Sequence, residues 1–276
     1  MWKIRKPSLD KSFSDIQDFE DKKIISGVDK DNLIKLVIDY DRQGGSVNDK
    51  QLSTISTEGA RSLHAHYPDT YKGKRLYYIK EELMNNVSKC PYCSIGQPST
   101  LDHYMPESKY PAMALCRLNL VPMCWECNHE KSCHLPYKEY IHPYYSLFPN
   151  AIFLLAKIQI VANELVVNFL FDETVFQDKS EYQQLVLHWK HLEMDKRLKK
   201  SVIDFMRSEV LFDFQNIAQC ISSIEIQLNV KEERYGRNDW RSAVLRALLD
   251  GLRGPDNETI LNALRQSGLD SADCLI

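Results

Sequence analysis

The chain has 276 residues, of which 43% are hydrophobic and 26% charged, and its formal net charge is -3. The length suits one large domain or two small ones, and the composition is globular, not disordered or fibrous. No apolar run approaches the roughly 20 residues of a membrane span, and the charge balance offers no overall basic face for a nucleic-acid binder acting alone.

The opening MWKIRKPSLDK lacks the apolar core of a secretory signal, so a cytoplasmic location is expected. Trp2, Lys3, Arg5 and Lys6 make a short basic-aromatic start suited to docking on a partner. Residues 1–28 read as irregular. In DKDNLIKLVIDYDRQGG, Leu33, Leu36, Val37 and Tyr40 fall at helical spacing, with Asp31 as the expected cap and Gly44-Gly45 as the stop. GKRLYYIKEELMNN predicts another helix, ending just before Cys90.

Residues 90–134 are dense in Cys, His, Pro and Asn and poor in periodicity, so side-chain chemistry must hold them. AIFLLAKIQIVANELVVNFLFD, residues 151–172, predicts two strands joined at Ala162-Asn163-Glu164. From about 178 the chain reads as helical. Leu185, Trp189 and Leu192 mark one face, and Phe214, Ile217, Ile221, Ile224 and Leu228 another. DWRSAVLRALLDGLRG and NETILNALRQSG predict two further helices, broken at Gly254-Pro255. The basic stretches KRLKK (196–200) and KEERYGR (231–237) read as solvated helical faces. The expected organisation is an N-terminal helical region (1–89), a motif core (90–150), and a hairpin with C-terminal helices (151–276).

Four of the eight cysteines form two Cys-x-x-Cys pairs, Cys90 with Cys93 and Cys124 with Cys127. In a reducing compartment such pairs point to metal, not disulfides. Two knuckles complete a tetrahedral four-thiolate zinc site, closed to chemistry, which holds a scaffold. A redox dithiol needs only one pair, and neither lies in a thioredoxin-like strand-to-helix setting. Cys116 and Cys133 lack partners at ligand spacing and read as bystanders, and Cys220 and Cys274 suggest no role.

Between and just beyond the knuckles lie Asp102-His103, Asn119, Asn128 and Lys131. The stretches LDHYMPESKYP and LNLVPMCWECNHEKS resemble the HNH, or ββα-metal, endonucleases, over about 45 of the 276 residues. Together with the helices and the small β-hairpin read above, the resemblance gives an expected α+β fold, mainly helical, with a central zinc-stabilised ββα-metal module. It implies a catalytic Mg2+ (or Mn2+) held by Asp102 and Asn128, with His103 as general base. Asn119 would orient His103 through its backbone carbonyl. Hard oxygen donors suit that ion.

Lys131 is either a phosphate contact or a solvated helix residue. His129, His134 and His142 read as local structure, and HPYY (142–145) as aromatic packing. The basic start WKIRKP and the helical flanks are similar to the HNH subunit (PtuB) of Septu-type and retron-linked anti-phage systems. That similarity implies an ABC-type ATPase partner (PtuA-like) and a nucleic-acid substrate, DNA or RNA. Two alternatives stand beside cleavage: a zinc-stabilised module that binds nucleic acid or protein without cutting, and a regulatory subunit whose main work is assembly.

Overall fold

The computed structural model describes residues 3–85, 87–132, 136–161 and 164–266. It is mainly helical, with two separate two-stranded antiparallel sheets. The chain divides into two units, Trp2–Leu147 and Phe148–Ile276. The regions expected as 1–89 and 90–150 thus share one unit, and the second begins at Phe148 where the third region was expected at 151. Trp2, Cys133, His134 and Cys274 lie outside the described residues, as do Ala162 and Asn163 of the expected hairpin turn.

In the first unit, serine and asparagine caps set the helix starts. Ser8 opens α1 (Leu9–Asp21), Ser26 opens α2 (Gly27–Arg42), and Ser56 opens α4 (Thr57–Ala65), each accepting a backbone N–H at the third position on. The short α3 (Asp49–Leu52) carries a full capping box between Asn48 and Gln51. α1 overturns the expectation that residues 1–28 are irregular. Its buried face is only Ser12, Asp15, Ile16 and Phe19, too thin and too polar to register as an apolar stripe.

The cap of α2 is Ser26, five residues before the expected cap at Asp31. Leu33, Leu36, Val37 and Tyr40 do form its buried face. It ends at a left-handed pair, Gly44 and Gly45 (φ 67° and 92°). A Cβ on Gly45 would lie 2.4 Å from the His142 ring, so glycine serves both the turn and that close approach. α5 (Tyr77–Met84) then leads into the cysteine segment.

β1 (Thr100–His103) pairs with β2 (Leu120–Met123) in a register that sets Thr100 opposite Met123 and His103 opposite Leu120. α6 (Trp125–Lys131) follows β2 directly, giving a ββα unit. α1 and α5 are tied to this unit by Arg117, two residues before Asn119. Its guanidinium donates to both oxygens of Asp15 (2.7 and 2.8 Å) and to Glu82 (2.9 Å).

The second unit has β3 (Leu154–Val161) paired with β4 (Glu164–Phe171) as expected for residues 151–172. Around it lie α7 (Lys179–His191), α8 (Met194–Ser208), α9 (Ile217–Tyr235), α10 (Trp240–Arg253) and α11 (Asn257–Gln266). α10 is buried on most of its surface and packs on β3 and α9. Asn238 fixes the entry to the hairpin, accepting from the backbone of Phe153 and Leu154 and donating to the Ala151 carbonyl. The basic stretches at 196–200 and 231–237 fall on α8 and at the end of α9, where Lys231 pairs with Glu209.

Candidate metal centre and ββα site

The first knuckle is shaped by its backbone. Cys90 N–H donates to the Gly96 carbonyl (2.9 Å), Ser94 N–H donates to the Cys90 carbonyl (2.8 Å), and Ser94 takes a left-handed turn (φ 55°). Ile95 N–H points at Cys93 Sγ (3.4 Å). The second knuckle is the start of α6. Cys124 is its cap, and its sulfur accepts from Cys127 N–H (3.5 Å). Gly96 lets the knuckles close up, since a Cβ there would lie 2.8 Å from Cys124 Cβ.

The four sulfurs of Cys90, Cys93, Cys124 and Cys127 lie within 4.8 Å of one another, all buried and none in a disulfide. Cys93 and Cys124 are 3.7 Å apart at sulfur. A tetrahedral ion with Zn–S bonds of about 2.3 Å spaces its sulfurs by about 3.8 Å, so the cluster fits zinc. Its protonation chemistry agrees. S–H groups donated by Cys127 and Cys90 pull the Cys124 thiol down to about 6, while burial pushes Cys90 up and donation to Cys124 pushes Cys127 up. Four crowded thiols cannot all ionise unless a cation shares their space. Among the described residues, this is the group of His, Cys, Asp and Glu side chains close enough to hold a metal ion.

His103 ends β1 and is 6% exposed. Its Nε2 lies 2.9 Å from the Ala114 carbonyl. A carbonyl only accepts, so Nε2 carries the proton and Nδ1 keeps its lone pair. Burial lowers the imidazole pKa, against the opposing pull of Glu107 and Asp102, so the ring is neutral at pH 7. The Tyr67 ring packs against it with centroids 4.4 Å apart, and Tyr67 Oη donates to the Leu101 carbonyl (2.6 Å).

Asn119 holds His103 by a different route from the one expected. Its backbone carbonyl accepts from Tyr104 N–H, not from His103. Its fully buried side chain accepts from Met105 N–H (2.8 Å) and donates to the Met105 and Met113 carbonyls (3.1 and 3.2 Å). That clamps the 105–113 loop, whose next residue, Ala114, holds His103. Tyr40 Oη donates to Asn119 Oδ1 (3.2 Å) and lies 3.0 Å from His142 Nε2. Asn119 therefore anchors the loop that carries Ala114, and His142 belongs to its support, consistent with a structural role for that histidine.

Lys131 is neither a free phosphate contact nor a solvated helix residue. It is 3% exposed, donates to the His103 carbonyl (2.7 Å), and lies 2.7 Å from Asp102 Oδ2. Its amine is thus engaged by a carbonyl and a carboxylate. The contact with Asp102 is an ion pair without hydrogen-bond alignment, and it sets the ammonium's charge against the buried Oδ2. Asn128, half-buried on the same helix, follows Cys127 directly. His129 is exposed and stacks on Trp125 (centroids 5.0 Å, planes 8° apart). Glu107 and the Ala114 carbonyl were not anticipated. Nothing in their spacing marks them, because a loop, not a periodic element, brings them to His103.

Fold and site define a mainly helical α+β protein with a four-cysteine cluster able to hold a metal ion. Among the described residues no helix is long and apolar enough to cross a membrane. No family model matches the chain, and no solved structure matches it. The chain is similar to protein Ea31 of Escherichia phage lambda, with 41% identity over 61 residues, 22% of this chain. It spans about a fifth of that protein's length (20%).

Proposed function

We propose that this protein is a metal-dependent endonuclease of the HNH type that hydrolyses phosphodiester bonds in DNA or RNA. The observation that carries the reading is the state of His103: a neutral imidazole whose Nε2–H is held by the Ala114 carbonyl, leaving Nδ1 free to take a proton. A base of that kind suits work at neutral pH. Asp102 precedes it on an extended strand, where neighbouring side chains project to opposite sides. Asn128 is carried by the helix that Lys131 fastens to that strand.

Asp102 and Asn128 would hold Mg2+ or Mn2+. The Asp102 carboxylate, whose buried Oδ2 lies 2.7 Å from the Lys131 ammonium, is a hard oxygen donor that suits such a cation. When bound, the ion supplies positive charge against the oxygen that leaves phosphorus. The protein's own part is to withdraw a proton from water at His103 Nδ1, so that the water oxygen can attack phosphorus as the bond to the leaving oxygen breaks. Zinc at the four cysteines would fix the start of α6 and with it Asn128.

A nuclease assay with magnesium on plasmid, single-stranded DNA and total RNA tests this reading. His103→Ala should lose about 100-fold or more in cleavage while keeping its zinc and its fold. Equal cleavage by the variant would overturn it. The net charge of -3, with Lys6 tied to Asp41 and Arg117 to Asp15, supports a second subunit that captures the nucleic acid. An ABC-type ATPase (PtuA-like) in a cytoplasmic anti-phage complex is the proposed partner. Co-expression followed by mass measurement should give a complex larger than the 276-residue chain alone.

One observation favours a second reading, a zinc-stabilised module that binds without cutting. Asp102 already faces a resident cation, the Lys131 ammonium. On that reading nucleic-acid binding survives magnesium chelation and no substrate yields product.

A further inference from the structure

We infer that Glu107 is a positioning residue for His103, fixing which ring nitrogen carries the proton and so which one faces the reacting water. The inference rests on His103 being the general base. Glu107 follows Pro106 in the turn after β1, within LDHYMPESKYP but not among the residues to which the resemblance gives a role. Its Oε2 is buried and accepts no hydrogen bond, yet it lies 3.5 Å from His103 Nε2. The same nitrogen is 2.9 Å from the Ala114 carbonyl.

Two acceptors therefore flank one ring nitrogen. If the proton moved to Nδ1, the Nε2 lone pair would face a carbonyl oxygen and a carboxylate oxygen, with no donor between them. The Ala114 carbonyl alone favours the Nε2–H form, and a second acceptor on the same nitrogen raises the cost of the other tautomer and of a ring flip. That role explains why a carboxylate oxygen stays buried without a bond. Tyr67 packs the ring from the side, and Asp102 and Lys131 complete the charged groups around it. His64, on α4, lies 3.8 Å from the same Oε2, with its side chain 47% exposed.

Histidine-selective 15N spectra of the full chain, free of nucleic acid and magnesium at pH 7.5, read the tautomer directly. Wild type should show His103 protonated at Nε2. Glu107→Ala should shift the signals toward a mixture of tautomers. Glu107→Gln, which keeps an acceptor oxygen, should restore the wild-type pattern. In cleavage, Glu107→Ala should lower kcat about 10- to 100-fold with KM unchanged, and Gln should recover most of it.

An unchanged His103 tautomer in Glu107→Ala overturns the inference. If that variant does not fold, Glu107→Asp, which draws the acceptor back by one methylene, takes its place with the same expectation. Because the spectra need no activity, a protein that cleaves nothing would sink the nuclease reading while the tautomer result still decides the role of Glu107.

Discussion

An ammonium group taken out of water costs several kcal/mol unless its charge and its N–H groups are met. Lys131 meets this condition with the His103 carbonyl, the Asp102 carboxylate and the Tyr140 ring 5.8 Å away. It thereby bolts α6 to β1. Lys131→Met keeps the length and removes the charge, leaving the Asp102 carboxylate partly buried and unpaired. The expected loss is about 3 kcal/mol, read as a lower urea midpoint. Adding Asp102→Asn should make the double variant less unstable than the sum of the singles. Strict additivity would show that the two groups do not interact.

His142 gives a second test at this scale. Burial, helped by the charge of Lys131, holds its pKa well below the ordinary value of 6.5. The folded chain thus binds fewer protons there than the unfolded chain. Stability is complete above about pH 6.5 and falls as the pH drops toward the folded-state value, with a slope of about 1.4 kcal/mol per pH unit from this group. His103 is shifted the same way and adds to the slope. Denaturant titrations of His142→Gln between pH 5 and 7.5 should show a shallower dependence than wild type.

Among the elements, Arg117 does for α1 and α5 what Lys131 does for α6. Its fork holds Asp15 at two oxygens, with both side chains buried. Asp15→Asn leaves a buried guanidinium short of its counter-charge, and about 3–5 kcal/mol should be lost in equilibrium unfolding. Replacing both by apolar residues, Asp15→Leu with Arg117→Met, should recover part of that loss. The same ion pair explains why α1 was not legible in the sequence. An aspartate at the buried position of an already thin stripe reads as solvent-facing until its partner, 102 positions away, is known.

Legibility tracked the range of the interactions that set each element. The hairpin of β3 and β4 was legible because a long, mainly apolar stretch on each side of a short break needs no distant information. So were the four cysteines, whose paired spacing carries the chemistry within each knuckle. The orientation of His103 was not legible. It depends on a loop carbonyl, a loop carboxylate and an asparagine that clamps the loop, and none of these has a period or a spacing that sequence can show.

For the whole molecule, the decisive fact is that the cysteine cluster belongs to one of two units. In Trp2–Leu147 the knuckles are thirty residues apart and brace a sheet of only four residues per strand. So small a sheet cannot order the segment alone, whereas structural zinc contributes about 10–16 kcal/mol in small motifs. The Phe148–Ile276 unit has its own core, built on α10 and the hairpin, with Cys220 the lone cysteine among its described residues. Calorimetry should therefore resolve two transitions. A zinc chelator, or Cys124→Ser, should lower or abolish one and leave the other within about 1 °C of its original midpoint, because metal linkage stabilises only the unit that binds. Loss of magnesium alone should move neither by as much. A single transition that shifts as a whole, or two that both ignore the chelator, would mean that the thiolate cluster does not brace the unit that carries Asp102 and His103.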